Sequence, residues 1–126
     1  MLCAIGVDDI PTRWMLAGAP ANWMGVGATS HFESMASVHF PNSACAACLH
    51  PKDEVQAGPT PTIAFVSFLA GLMMAADLLR DLVSARTSRA SRQHYLTALQ
   101  MNPWSGTVPP RLDCPAMCFA SRAMAA

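Results

Sequence analysis

The sequence predicts an α/β fold, because segments with the pattern of strands alternate with helical segments along its 126 residues. Residues 2–7 form a continuous apolar run that stops at Asp8-Asp9, which is typical of a buried parallel strand ending in a loop. Residues 62–83 form the longest helical segment. Residues 36–40 alternate between apolar and polar side chains, as a half-buried strand does.

The composition excludes some classes of partner. Eight Lys and Arg residues balance eight Asp and Glu residues, so no net field recruits nucleic acid or an anionic membrane, and we expect neither. Hydrophobic residues make up 52% of the chain and charged residues 13%. This balance predicts apolar surface that a second subunit or further sequence covers. The first ten residues lack the pattern of a secretory signal, so we expect a cytoplasmic protein.

A short helix is predicted after the first strand. Asp9 stands at its N-cap position, and Pro11 falls in its first turn, where proline is well tolerated. The helix is expected to end at Leu16 or Ala17, with Gly18 as its C-terminal cap.

The middle of the chain predicts strands and loops. Residues 23–28 and 36–40 are expected to be two strands, and residues 50–61, with three prolines, an exposed loop. Residues 84–92 are rich in arginine and small polar residues. A solvated linker is the favoured interpretation of that segment, with phosphate binding as the alternative, and residues 94–100 are predicted to be a further strand.

The helix over residues 62–83 is predicted to be buried, because no charge occurs in residues 63–76. A membrane span needs about 20 predominantly apolar residues, and Asp77 interrupts this run too early. Its small residues Ala70-Gly71 and Ala75-Ala76 predict close packing against a sheet or a second copy.

Prolines and alanines characterise the end of the chain. Asn102-Pro103 and Pro109-Pro110 are expected to break the chain on either side of Trp104. Residues 1–120 are assigned to one incomplete domain, and residues 121–126 to a tail that we expect to be unstructured.

Four of the five cysteines form two close pairs, with 65 residues between Cys48 and Cys114. One turn can present two thiolates at this spacing to a metal, and two such turns complete a tetrahedral zinc site. Compact zinc modules have about 15–20 residues between the pairs, so spacing alone leaves structural zinc open. A redox pair is the alternative for Cys45 and Cys48. Cys3 is predicted to be a buried strand thiol.

In combination, these features resemble the ThiF/MoeB/HesA adenylyltransferases, the bacterial relatives of ubiquitin-activating enzymes. The resemblance covers residues 2–118 and rests on the order Asp8-Asp9-Ile10-Pro11-Thr12-Arg13, a cysteine pair, a proline-rich loop, Pro61-Thr62-Ile63-Ala64-Phe65-Val66-Ser67 and a late Cys-Pro turn. It implies a partial Rossmann-like ThiF fold: the C-terminal half of the family's domain, with a mixed sheet, one long buried helix and a pair of zinc knuckles.

The family adenylates the C-terminal glycine of a ubiquitin-like or sulfur-carrier protein with ATP and magnesium. By position, Asp8 matches the acidic residue that helps to place magnesium beside the triphosphate, and oxygen ligands suit that cation. Arg13 matches an arginine in the following helix. Helix capping is the alternative role for Asp8 and Asp9, and a solvated helix face is the alternative for Arg13.

The resemblance also implies a role for the four paired cysteines. Cys45, Cys48, Cys114 and Cys118 match the family's zinc ligands, whose two pairs are separated by a similarly long gap. The second pair encloses three residues where the family usually has two. Four thiolates leave no open coordination position, so the zinc would be structural.

The chain also departs from the family. No GxGxxG loop precedes Asp8, and the family's ATP-binding lysine and arginine residues have no counterparts. Residues 50–61 contain no cysteine for a thioester. We therefore expect a half-enzyme that is inactive alone and acts as a homodimer or with a missing N-terminal half. A non-catalytic, zinc-stabilised interaction module is the alternative.

Overall fold

The computed structural model describes residues 1–6, 9–49, 62–84 and 89–125. Its helices and strands are, in chain order, β1 (Leu2–Ile5), α1 (Ile10–Leu16), β2 (Trp23–Ser30), β3 (Glu33–His39), a 3₁₀ turn (Ala46–Leu49), α2 (Ala64–Val83), β4 (Arg92–Thr97), β5 (Asn102–Thr107) and α3 (Phe119–Ala125).

The five strands form one mixed sheet in the order β1-β2-β3-β4-β5. The pair β1 and β2 is parallel, with Leu2 opposite Trp23, and the other three pairs are antiparallel. The helix α1 joins the two parallel strands, as a parallel pair requires. The predicted α/β class with a mixed sheet and one long helix is confirmed.

The helix α2 lies across strands β2 and β3 at a place where the sheet is made of small residues. A Cβ atom on Gly25 would come within 2.4 Å of the Trp23 ring, and one on Gly27 would lie 3.9 Å from the Ala70 carbonyl oxygen. The Ser34 hydroxyl donates a hydrogen bond to the carbonyl of Val66 over 2.8 Å. Small side chains therefore let the helix backbone approach the sheet.

Two carboxylates of α2 are buried between the helix and the sheet. Asp81 accepts hydrogen bonds from Arg92 and from the indole nitrogen of Trp23, the latter over 2.9 Å. Burial raises the pKa of Asp81, but these two hydrogen bonds outweigh burial, so the pKa lies below its usual value. Arg92 also pairs with Asp77 over 3.2 Å. The expectation that Arg92 belongs to a solvated linker is wrong, because Arg92 begins β4 and neutralises both carboxylates.

The other side of α2 is apolar and exposed, so the helix is buried along one face only. Its exposed residues recur at spacings of three and four, which places them on one stripe of the helix. We call this stripe the outer seam; it consists of Phe65, Phe68, Leu72, Ala75, Leu79 and Leu82. Among the described helices, none combines the length and apolar character that a bilayer span requires.

The opposite face of the sheet packs against α1 and the first cysteine turn. Ile5, Met24 and Val26 form a buried cluster with Ala46, and Leu16 of α1 packs against it. The predicted N-cap of α1 is confirmed, because the Asp9 side chain accepts the backbone N–H of Thr12 over 2.8 Å. The C-cap is Ala17, so the assignment of Gly18 is wrong by one residue.

Two segments differ from the expectations for the end of the chain. Pro103 lies within β5, opposite Leu96, and does not break the chain there. Among the described strands, β5 is an edge strand, where a residue without an N–H group is tolerated. The segment predicted as an unstructured tail is helical as far as Ala125.

Candidate metal centre

The first cysteine pair lies in a tight turn that follows β3. Cys45 immediately precedes the 3₁₀ turn that contains Cys48, and the Cys48 N–H donates to the Cys45 carbonyl over 3.0 Å. This bond closes the turn and directs both side chains to the same side. Cys48 is buried and Cys45 is partly exposed.

The second pair lies after β5 and leads into α3. The Met117 N–H donates to the Cys114 carbonyl over 2.9 Å, and the Arg122 N–H donates to the Cys118 carbonyl over 3.0 Å as α3 begins. Met117 has a φ of 43°, in the left-handed region that residues other than glycine rarely adopt. The left-handed backbone at Met117 turns the chain within the three residues between Cys114 and Cys118.

The two turns bring the four sulfur atoms together. Sγ of Cys45 lies 4.0 Å from Sγ of Cys48 and 3.5 Å from that of Cys114, and Cys48 and Cys118 are 3.7 Å apart. All four sulfurs lie within 4.8 Å of one another. A zinc–sulfur bond of about 2.3 Å would set the edges of a tetrahedron at about 3.8 Å. The observed distances fit such a site.

The chemistry of this cluster favours a metal over disulfides. A disulfide needs about 2.05 Å between its sulfurs, and every measured separation is much longer. The hydrogen bond to Cys48, burial and the neighbouring sulfurs raise the pKa of the Cys45 thiol. Without a cation, thiols so close together therefore stay protonated, and a bound cation would stabilise the thiolates. The four cysteines could hold a metal such as zinc.

Apolar packing supports the cluster. Cys48 and Cys114 belong to a buried group with Ala44, Ala47 and Val108, against which Trp14 and Ala17 of α1 pack. Asp9 is the N-cap of α1 and Ala17 its C-cap, so Asp9 and the cysteine cluster lie towards opposite ends of that helix.

Polar side chains fix the first turn to the sheet, and the sequence analysis did not identify them. The His39 Nδ1 atom lies 3.0 Å from the Ala44 carbonyl, and the Ser91 hydroxyl donates to the same carbonyl over 2.6 Å. The His39 Nε2 atom contacts the Ser37 hydroxyl over 2.9 Å. The order of residues gives no signal for these contacts, because Ser91 and Ala44 are far apart along the chain.

An open cavity of ≈ 520 Å³ lies beside the cluster. Cys45 and Cys118 contribute to its wall, together with His39 and Arg122. A chelator in solution therefore has a route to the cysteine sulfurs.

The predicted ATP-site residues are not brought to the cysteines. Asp8 lies outside the described residues. Asp9 caps α1, and its hydrogen bonds from Thr12 hold the pKa of Asp9 below its usual value. Arg13 is 5% exposed, so the alternative of a solvated helix face is wrong for Arg13, whereas its role towards ATP stays a prediction.

The chain is similar to known proteins in fold but not detectably in sequence. No protein-family model and no curated protein sequence matches the chain. The structure of Escherichia coli MccB with MccA-N7isoASN superposes with a TM-score of 0.65 at 13% identity, covering 94% of this chain and 40% of MccB. The chain has the fold of part of MccB.

Two further MccB structures agree. MccB with MccA gives a TM-score of 0.64 at 14% identity, covering 91% of this chain and 38% of MccB. MccB alone gives a TM-score of 0.61 at 13% identity, covering 90% of this chain and 38% of MccB. The chain therefore spans about two fifths of the MccB chains that it resembles.

Proposed function

We propose that this chain is the C-terminal half of a ThiF-type adenylyltransferase and is inactive alone. One observation carries the proposal: two cysteine pairs 65 residues apart converge on four sulfurs within 4.8 Å, in a fold shared with about two fifths of MccB. The family resemblance in sequence had predicted both the convergence and the partial fold. The resemblance also implies the type of reaction, which is the ATP-dependent activation of a carrier protein's C-terminus.

The proposed partner is the C-terminal segment of a ubiquitin-like or sulfur-carrier protein. Two structures of the fold neighbour contain MccA beside MccB, which supports a peptide partner. Asp8 would help to place magnesium and ATP, and Arg13 would assist from the following helix. We place this activity in the cytoplasm, where reduced thiols persist.

The proposed cofactor of the chain itself is a structural zinc ion on the four cysteines. Four thiolate ligands saturate a tetrahedral ion and leave no position for water or substrate. The ion would contribute to folding and not to adenylation. It would join the segment after β3 to the segment after β5.

We further propose that a second copy of the chain covers the outer seam of α2. The spacings along the seam alternate between three and four residues, as in the heptad pattern of helices that pair along their length. Its six residues carry no charge, and Arg80, the exposed charged residue of α2, is bound to Asp77. Two copies of an uncharged seam can meet without repulsion, so a homodimer fits this surface.

The alternative function is a non-catalytic, zinc-stabilised interaction module. The convergence of the cysteines is equally compatible with it, because that geometry concerns the metal and not ATP. The two functions differ in whether the chain, once completed by its other half, can adenylate a protein.

Exchange of labelled pyrophosphate into ATP tests the proposal. The purified chain, with magnesium and a carrier protein ending in glycine, should give no exchange. Adding the polypeptide encoded immediately upstream should restore exchange, and Asp8→Asn should remove that restored activity. The matched control Asp113→Asn, at an exposed acid paired with Arg111, should leave it intact.

Unrelated upstream sequence, or two folded halves that together give no exchange, would favour the interaction module. Exchange by the chain alone would exclude that module and also the proposal that the chain is inactive alone.

A further inference from the structure

A serine, a histidine and a carboxylate are in contact on the face of the sheet that α2 covers. The Ser105 hydroxyl on β5 lies 2.7 Å from Nδ1 of His94 on β4, directly opposite in the strand register. Nε2 of the same imidazole lies 3.3 Å from Oδ2 of Asp77 on α2. The three residues come from three elements, so their order in the sequence gives no signal for this contact.

The burial of the three residues follows the order that a nucleophile, a base and an orienting acid require. Ser105 is exposed, the His94 side chain is 22% exposed and that of Asp77 is 5% exposed. A serine nucleophile must meet the substrate, whereas the acid is more effective away from water. Each residue therefore has the access to solvent that its role needs.

The hydrogen bonds of Asp77 leave one oxygen for the imidazole. Its Oδ1 atom accepts hydrogen bonds from Arg80 and Arg92. Its Oδ2 atom and Nε2 of His94 are buried, and the described residues offer neither atom a hydrogen bond of good geometry. These two buried polar atoms lie 3.3 Å apart, and contacts of this kind are often loose before substrate binds.

Two other serine–histidine contacts occur among the described residues, and they show what is specific to this one. Ser30 lies 3.2 Å from Nδ1 of His31 at an exposed position, without a carboxylate in the described contacts. Ser37 lies 2.9 Å from His39 but is fully buried, and the second nitrogen of His39 contacts a backbone carbonyl. Among these three pairs, only Ser105 and His94 combine a serine exposed to solvent with a carboxylate next to the histidine.

We propose that Ser105 is a nucleophile activated by His94, with Asp77 as the positioning residue, and that the site reacts with activated acyl groups such as simple esters. In this proposal the contact with the carboxylate tightens into a hydrogen bond when substrate binds and favours the tautomer with its proton on Nε2, which leaves Nδ1 to accept the serine proton. The two imidazole nitrogens are used in the reverse order from that of the serine proteases, where the acid holds Nδ1.

The reaction balances without a cofactor. Oγ of Ser105 attacks the ester carbonyl carbon while its proton moves to Nδ1 of His94. The carbon–oxygen bond to the leaving alcohol then breaks, and the alcohol departs with that proton. A water molecule repeats the sequence on the acyl-serine, releases the carboxylic acid and restores the serine.

The proposed donors to the developing oxyanion are backbone N–H groups of β5. Within the described sheet β5 lacks a neighbour on its outer side, so alternate residues direct their backbone N–H groups away from β4. Backbone N–H groups are the usual donors to such an anion.

The experiment is labelling of the intact chain with a fluorophosphonate, followed by mass spectrometry of the modified peptide. The serine oxygen forms a bond to phosphorus, fluoride leaves and His94 takes the proton. We expect modification at Ser105, slower by about 10²-fold or more in His94→Ala. Added imidazole should restore part of the rate in His94→Ala, which a structural role of the histidine would not produce.

Matched variants separate positioning from folding. Asp77→Asn should slow labelling, whereas Asp81→Asn should not, although both carboxylates are buried against Arg92. Ser30 should stay unlabelled, and Ser105→Ala should remove p-nitrophenyl acetate hydrolysis while the melting temperature is unchanged.

The proposal is overturned if Ser105 reacts no faster than Ser30, or if labelling is the same without His94. It is also overturned if Asp77→Asn and Asp81→Asn have equal effects in folded protein. These outcomes are independent of pyrophosphate exchange, so failure of either proposal is distinguishable from failure of the other.

Discussion

Met117 has a left-handed backbone, with a φ of 43°, while its side chain is 71% exposed. Glycine adopts this conformation without the steric cost that a Cβ atom brings. Met117→Gly should therefore stabilise the metal-loaded protein by about 1 kcal/mol, measured by urea unfolding.

The matched control is Met15→Gly, at an equally exposed methionine inside α1. That change should destabilise the protein by about 1 kcal/mol, because glycine is unfavourable in a helix. Equal losses of unfolding free energy in the two variants would show that the left-handed backbone at Met117 has no energetic cost.

Single residues could be predicted from the sequence where their role is local. The cap at Asp9 was predicted because a capping side chain bonds the backbone three residues ahead. The burial of Arg13 and the anchoring of Ala44 by His39 and Ser91 could not be predicted, since each depends on elements that meet only in the folded sheet.

At the level of elements, the outer seam of α2 should determine the association of the chain. Leu72→Asp places a charge at the middle of the seam, where Leu72 is 50% exposed in the single chain. We expect the parent to sediment as a dimer and the variant as a monomer, because burying an unpaired carboxylate is costly.

Leu99→Asp serves as the control, because Leu99 is 71% exposed in the turn between β4 and β5 and lies outside the seam. That variant should remain a dimer. A monomeric parent would refute the homodimer.

Elements were predicted best where one pattern persisted for many residues. The helix α2 was expected over residues 62–83 and is observed over Ala64–Val83, because its uncharged run is long. Pro103 led to the wrong prediction of a chain break, since whether a proline fits a strand depends on that strand's place in the sheet. That place is decided by pairing and not by the local sequence.

For the whole molecule, bound zinc is expected to be required for full stability. The purified chain should contain one zinc ion, which Cys45→Ser and Cys114→Ser should lose and Cys3→Ser should retain. A cross-link that closes a loop of this length contributes about 4 kcal/mol, so chelation should lower the free energy of unfolding by a similar amount. A parent that purifies folded and free of zinc would contradict the assignment.

The global properties of the sequence predicted the class of fold and little about chemistry. The alternation of apolar runs indicated an α/β sheet, and the family resemblance indicated that Cys48 and Cys114 would meet. Neither could place Ser105 beside His94, because the register of β4 and β5 is set by pairing across the sheet. The excess of apolar residues did predict an uncovered surface, and α2 is where that surface lies.

The separation of the two cysteine pairs has a consequence for the order of folding. The segment between them contains α2, β4 and β5, so a growing chain exposes Cys45 and Cys48 long before Cys114 and Cys118 exist. The pairing of β3 with β4 and of β4 with β5 brings the second cysteine turn towards the first, so we expect the complete set of thiolates only once these strands have paired. Metal capture on all four sulfurs would then be a late event in synthesis, one that locks a sheet already assembled by its own packing.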